Sequence, residues 1–305
     1  MAIRVIDDTK LNNIAVAIQV KDSGGQMTVD EMPTRIANIP SGGATLIPKT
    51  ITQNGVYNAS SDNADGYDVV TVSVPQDPYE MLTAVMNKTA TEIVSDKIKE
   101  LTTWSCAVNN NLQKVILSSD EFYVGSNANG TTYVFYSCRS LKMLLFPHSK
   151  HVNSSYGFGN YYAMGCTNLA IVLIHEVGNT GGSSFSGCSR IKSFIVTKTD
   201  SIQVLSNANA FSKSGISAGT GYVYVPDSLK PDYQIATNWS VYSSQIRGYQ
   251  DAPNYSNSNQ YTVGDVCKHN NKFYVWINLT DGNSEPTNAV DTYTDWYCVA
   301  DIEVI

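Results

Sequence analysis

The side chains best suited to chemistry in this sequence are four histidines, six cysteines and a C-terminal group of tyrosines and tryptophans. His148 and His151 follow an apolar run, and with His175 their imidazoles could in principle gather around a metal. Solvated loop histidines are the commoner use of such spacing, so no metal is expected. The cysteines lack the tight Cys-x-x-Cys pairs of a zinc site. A glycosidase needs two carboxylates flanking the scissile bond, and Glu285 has no evident second carboxylate. Asp120 and Glu121 read as a turn. No Gly-x-Ser-x-Gly elbow, phosphate loop or His-Glu-x-x-His stands out. The expectation is a chain with no catalytic residues and no cofactor.

Composition narrows the partners. Charged residues are 15% and hydrophobic residues 42%, enough to bury a core. The net charge of -7, without a dense Lys/Arg cluster, disfavours a phosphate backbone, so nucleic acid is not expected. No apolar run is long enough to span a bilayer, and Asp7, Asp8 and Lys10 interrupt any secretory signal at the start. The 19 tyrosines, with abundant Asn, Ser, Thr and Gly, favour strands, turns and polar contact surface over long helices.

The chain reads as four segments. Residues 1–44 form a small helical region, with Leu11, Ile14 and Ile18 at helical spacing and Thr28 and Glu31 as a capping box. Residues 45–78 switch to alternation at Val70, Val72 and Val74, read as a hairpin or small sandwich. Residues 79–248 hold a repeat flanked by helical caps, the first over 79–101. Residues 249–305 are a separate all-β module with a hairpin turn at 269–272.

In the repeat, a Cys precedes an aliphatic residue, with apolar residues three and five positions further on. Cys138 leads to Leu141, Leu144 and Phe146. Cys166 leads to Leu169, Val172 and Ile174, and Cys188 to Ile191, Phe194 and Val196. Cys106 leads, after three Asn, to Leu112, Val115 and Leu117, and Ser214 stands in the Cys place of a degenerate last copy. An aromatic residue precedes each Cys: Trp104, Phe135, Tyr162 and Phe185. Apolar residues two apart mark the inward face of a short strand, and the Cys is small enough for a tight bend. One copy cannot bury that face alone, whereas stacked copies share a core. Cysteines in equivalent places would stack rather than pair as disulfides.

Three resemblances rest on these residues. Met27-Thr-Val-Asp-Glu-Met-Pro-Thr-Arg-Ile36, Lys49-Thr-Ile-Thr-Gln-Asn-Gly-Val-Tyr-Asn-Ala59 and Ala64-Asp-Gly-Tyr-Asp-Val-Val-Thr-Val-Ser-Val74 resemble N-terminal segments of tail proteins from phages and prophages of Gram-positive bacteria. The Cys-led repeat, closing on Tyr222-Val-Tyr-Val-Pro-Asp-Ser-Leu229, Tyr233 and Asn238-Trp-Ser-Val-Tyr242, resembles BspA-like leucine-rich repeats. The C-terminal order of Tyr261, Gly264-Asp-Val, Tyr274, Glu285-Pro286 and Trp296 is similar to small chitin-binding-like carbohydrate-binding modules. Ser284 stands where many such modules carry an aromatic residue, which leaves a purely structural module open.

The fold class implied is α+β and β-rich: a short leucine-rich-repeat-like solenoid between a small helical and β N-terminal region and an all-β C-terminal module. The function implied is a phage tail receptor-binding protein that recognises a host cell-surface glycan or protein without catalysis. It would sit in the virion tail, made in the bacterial cytoplasm, attached to other tail proteins through its N-terminal region and open to homo-oligomerisation. A structural tail protein and a bacterial surface adhesin are the rivals. Modules of this kind stack aromatic rings on pyranose faces. Trp276 and Tyr297 are the candidates placed outward by strand alternation, with Tyr255 and Tyr293 beside them, while Tyr274 and Trp296 fill the module's interior. Cys267 and Cys298 could be neighbours across strands.

Overall fold

The computed structural model describes residues 46–51, 66–72, 88–120, 122, 132–150, 157–287 and 295–302. The chain falls into two compact units, Met1–Gln76 and Asp77–Ile305. The helices expected in 1–44 lie outside the described residues.

In the first unit, strand β1 (Leu46–Ile51) pairs with β2 (Gly66–Val72). The pairing is parallel, with Leu46 opposite Gly66 and Ile51 opposite Val72. The expected hairpin is therefore corrected. Parallel strands need a crossover of about a dozen residues, which the stretch between these strands is long enough to supply.

The second unit is built on a sheet of seven parallel strands. These are β3 (Glu92–Ser95), β4 (Lys114–Leu117), β5 (Met143–Phe146), β6 (Ile171–Ile174), β8 (Ser193–Val196), β10 (Tyr222–Val225) and β11 (Ile246–Gly248). Spatial order follows chain order, interrupted only by β7 (Asn179–Thr180) and β9 (Val204–Leu205), which pair in parallel as a small second sheet. Val115 pairs with Leu144, Leu144 with Val172, Val172 with Phe194 and Phe194 with Val223. Their side chains enter one buried core with Leu117, Phe146, Ile174, Val196 and Val225.

The first strand corrects another expectation. Residues 92–95 are a strand, with Ile93 and Ser95 inward and Glu92 and Val94 outward, where a helical cap was expected over 79–101. The apolar spacing there is of period two over four residues, too short to separate from a helical pattern by sequence. At the far end, Tyr222–Val225 is followed by a 3-10 turn, by helix α1 (Lys230–Ile235) with Pro231 in its first turn, and by a second 3-10 segment leading into β11. Tyr233, Trp239 and Tyr242 from this stretch close the core.

The return segments between strands are also in register. Cys106 N–H donates to the Val134 carbonyl, Phe135 to Tyr162, Ala163 to Ser184 and Phe185 to Ala210. This ladder makes Cys106 equivalent to Phe135, Ala163 and Phe185, so Asn109, not Cys106, occupies the corner position of Cys138, Cys166 and Cys188. All four corner residues are fully buried. The Cys166 thiol donates to the Phe135 carbonyl at 2.9 Å, and the Cys188 thiol to that of Ala163 at 3.1 Å. Cys138 does the same to Cys106 at 2.9 Å, and Asn109 reaches back to the Ala90 carbonyl at 3.5 Å. Asn109 adds an acceptor, taking the N–H groups of Asn111 at 3.0 Å and Leu112 at 3.2 Å.

A third sheet, antiparallel, comprises β12 (Val266–His269), β13 (Lys272–Trp276) and β14 (Trp296–Asp301). The β12–β13 turn has Asn270 and Asn271 at φ +48° and +58°, the mirror-type geometry that suits a tight hairpin. One face of this sheet, with Phe273, Val275 and Tyr297, packs against the outer face of the parallel sheet at Met143, Leu145, Ile171, Leu173 and Ile195. Gly264 makes the close approach possible. At φ +85° it lies so near the Ala170 carbonyl that a Cβ would sit 2.7 Å from that oxygen. Ser193 donates to the Gly264 carbonyl at 2.7 Å, and the Lys192 ammonium lies 2.8 Å from Asp265. Among the described residues no helix is long and apolar enough to cross a membrane.

All six cysteines are free. Cys267 and Cys298 both pair with Tyr274, one from each side, so an entire strand separates them. Two strand spacings are about 10 Å, beyond the reach of a disulfide. Burial pushes the Cys106 and Cys166 thiols up, Cys267 to about 12 and Cys298 upward as well. Two outcomes follow. An Asn109→Ala variant, which strands the buried Leu112 N–H, is expected to lose about 1–3 kcal/mol in urea denaturation. At pH 8 a thiol-exchange reagent is expected to label at most Cys298 rapidly in the folded chain and all six once unfolded; rapid native labelling of several cysteines would contradict the buried corners.

Candidate functional site

In the C-terminal module the strand alternation works against the sequence expectation. Trp276 is 1% exposed and Tyr297 8%. Tyr297 points into the interface with the parallel sheet. Trp276 points the other way, into the module's own core with Tyr261, Tyr274 and Trp296. The placement of Trp276 and Tyr297 at an open surface is thus corrected: both faces of this sheet are covered, so alternation chooses between two interiors rather than between core and water. The Trp276 ring lies so close to Gly282 that a Cβ there would come within 2.7 Å of it, and its indole N–H donates to the Thr280 carbonyl at 3.1 Å. Tyr293 lies outside the described residues.

Tyr255 is half-buried at the rim. Its ring stacks on Tyr261 with centroids 5.8 Å apart and meets His269 edge-on at 5.4 Å. Its hydroxyl donates to the Asn283 carbonyl at 2.7 Å. Beside it His269 Nε2 and Glu285 Oε1 are 3.0 Å apart, a pair the sequence reading did not connect. Ser284 donates to Asp295 at 2.6 Å, and its carbonyl receives the Trp296 indole N–H at 2.7 Å. Ser284 therefore pins the loop.

A second surface lies on the return segments of the parallel sheet. Trp104, Tyr133 and Tyr161 occupy equivalent positions in three successive repeats, two residues before Cys106, Phe135 and Ala163. Trp104 and Tyr133 stack at 4.2 Å and 3°, and Tyr133 and Tyr161 at 5.1 Å and 20°. Tyr136 leans edge-on against Trp104 at 6.1 Å and Tyr133 at 5.5 Å. Trp104 is 54% exposed and Tyr161 37%. The sequence reading grouped Trp104 with Phe135, Tyr162 and Phe185, which are buried; the register separates them. The missed signal was the aromatic pair in Tyr161-Tyr162 and the alternation of Tyr133 and Phe135, one ring in and one out.

This column has an unfavourable backbone. Trp104, Tyr133 and Tyr161 have φ of +67°, +59° and +63°. Each left-handed L-residue costs about 1–2 kcal/mol, while a stacked aromatic pair returns about 0.5–1.5 kcal/mol. The same position holds Ser183, also at φ +59°, in the next repeat. The turn therefore does not require a large ring.

Other candidates for chemistry have structural partners. His148 Nδ1 lies 2.8 Å from Asp120, and His175 Nδ1 lies 3.0 Å from the Thr197 hydroxyl. Burial lowers the affinity of His175 for a proton. His151 lies outside the described residues. Among the described residues no group of three His, Cys, Asp or Glu is placed to hold a metal. The expectation that no Gly-x-Ser-x-Gly stands out is corrected by residues 215–219, Gly-Ile-Ser-Ala-Gly, which carry the spacing of a nucleophile elbow. That motif needs a strand-to-helix turn, whereas Ser217 sits in a turn leading into β10 and exchanges hydrogen bonds with Ser214.

Compared with protein-family models, with curated proteins and with solved structures, the chain matches none. Trp276→Ala is expected to cost about 3–5 kcal/mol in thermal or urea unfolding. Tyr255→Phe, which loses only a rim hydrogen bond, should stay within about 1 kcal/mol of wild type. Equal losses would mean that the rim and the interior of the module have been misassigned.

Proposed function

We propose that this chain is a non-enzymatic tail component of a phage-like particle that recognises a host cell-surface glycan or protein. In this reading residues 79–248 are a BspA-like leucine-rich-repeat solenoid with end caps, residues 249–305 are a chitin-binding-like module, and the N-terminal region attaches the chain to other tail proteins. The tail-protein wording of 27–36, 49–59 and 64–74 supports the attachment, and the in-register pairing of consecutive strands supports the solenoid.

The observation that carries the recognition role is the stacked ring column of Trp104, Tyr133 and Tyr161, exposed at Trp104 and Tyr161 and half-buried at Tyr133, held at a backbone cost on the return segments. Rigid aromatic side chains give large contact area with little entropy lost on binding, which is what a preformed recognition surface needs. The shared core between the parallel sheet and the C-terminal sheet adds rigidity, because the Tyr255 rim cannot swing independently of the repeats.

The test is binding of the labelled full-length chain to intact Gram-positive bacteria of many strains. Saturable, strain-selective binding is expected. A chain that decorates no strain, yet assembles with neighbouring tail subunits, would favour a purely structural role and overturn the recognition reading.

A further inference from the structure

We propose that the Trp104–Tyr133–Tyr161 column is a binding site for a neutral oligosaccharide; the proposal rests on the recognition reading and specifies its ligand class. Two observations carry it beyond exposure alone.

The first is charge. The return segments that bear or flank the column, 102–112, 132–138, 157–170, 177–189 and 201–212, contain no Asp, Glu, Lys or Arg. Charged residues are 15% of the chain, and those bordering these segments, such as Glu100, Arg139, Arg190 and Lys213, with Lys88 beside Asn111, lie outside them. The polar residues of these segments are amides and hydroxyls, among them Thr102, Thr103, Asn110, Asn160, Ser183 and Asn209. A surface for a polyanion, a charged peptide or an acidic membrane would carry complementary charge. A surface of flat rings among uncharged hydrogen-bonding groups matches a neutral sugar, which has an apolar pyranose face and a hydroxyl rim.

The second is unused polar capacity. Among the described residues, no side-chain hydrogen bond is made by the indole N–H of Trp104 or the hydroxyls of Tyr133, Tyr136 and Tyr161. Buried tyrosines of the same chain do the opposite: Tyr233 accepts from the Gln203 N–H, and Tyr249 donates to the Val196 carbonyl. The column leaves its polar tips for a ligand. Tyr133 stacks on the Trp104 indole and Tyr136 meets it edge-on, yet Trp104 stays 54% exposed, so a pyranose stacks on its open part while its neighbours run along the phenol tips.

Trp104 supplies its own reporter. The other three tryptophans, Trp239, Trp276 and Trp296, are at most 5% exposed. Iodide quenching of the folded chain therefore reads Trp104 almost alone. The experiment uses the full-length chain and a triple variant Trp104→Asn, Tyr133→Asn, Tyr161→Asn. Asparagine tolerates the left-handed backbone, so the variant is expected to fold with an unchanged or higher midpoint. Both are applied to an array of neutral hexose and N-acetylhexosamine oligosaccharides beside anionic ones such as glycerol-phosphate oligomers. Wild type should bind members of the neutral set and be protected by them from iodide, and the variant should bind them about tenfold or more weakly. The proposal is overturned if no neutral sugar binds, if only anionic ones do, or if the folded variant binds as well as wild type. Wild type that still decorates cells in any of those cases leaves the recognition reading standing; wild type that binds neither sugars nor cells removes both.

Discussion

A parallel strand presents unpaired N–H and C=O groups along both edges, and a short one has too little apolar surface to stand alone. That constraint organises the second unit. Each repeat satisfies its backbone only by lying in register on the next, at the strands through Val115, Leu144, Val172, Phe194 and Val223, and again along the return segments. The corner thiols take part in the same ladder. Each donates to a carbonyl of the preceding repeat, so the sulfur is a directional link as well as a small apolar filler.

Register has a consequence for the surface. Once the inward ring of each return segment is fixed, at Phe135, Tyr162 and Phe185, the residue at the left-handed turn must project outward. The turn needs a positive φ, not an aromatic ring, as Ser183 demonstrates. The rings at Trp104, Tyr133 and Tyr161 are thus separable from folding, which is the property expected of residues kept for contact.

The C-terminal sheet plays two parts. Phe273 and Val275 cover the outer face of the parallel sheet, and Tyr274 and Trp276 build an interior on the opposite side. A sheet buried on both faces has little room for exposed rings on its strands. Its contact-capable groups are accordingly at the rim, where Tyr255, His269 and Glu285 meet. Gly264 serves the docking contact with Ala170.

Sequence alone determined the inward rungs: apolar residues two apart after each Cys fix which side chains face the core, because alternation is a local property of an extended chain. It also carried a sign of the covered outer face, since Met143–Phe146 and Ile171–Ile174 are apolar at every position, as strands buried on both sides are. The three C-terminal strands and their Asn-Asn turn were legible for the same local reason. Only the tertiary structure decided that Asn109 holds the corner of the first repeat, that Trp104 belongs with Tyr133 and Tyr161, that β1 and β2 run parallel, and that Trp276 and Tyr297 face two different interiors. Each of those depends on which distant segment lies alongside. Pairing between segments is set by hydrogen bonds and packing across many residues of chain, and no short window of sequence contains both partners.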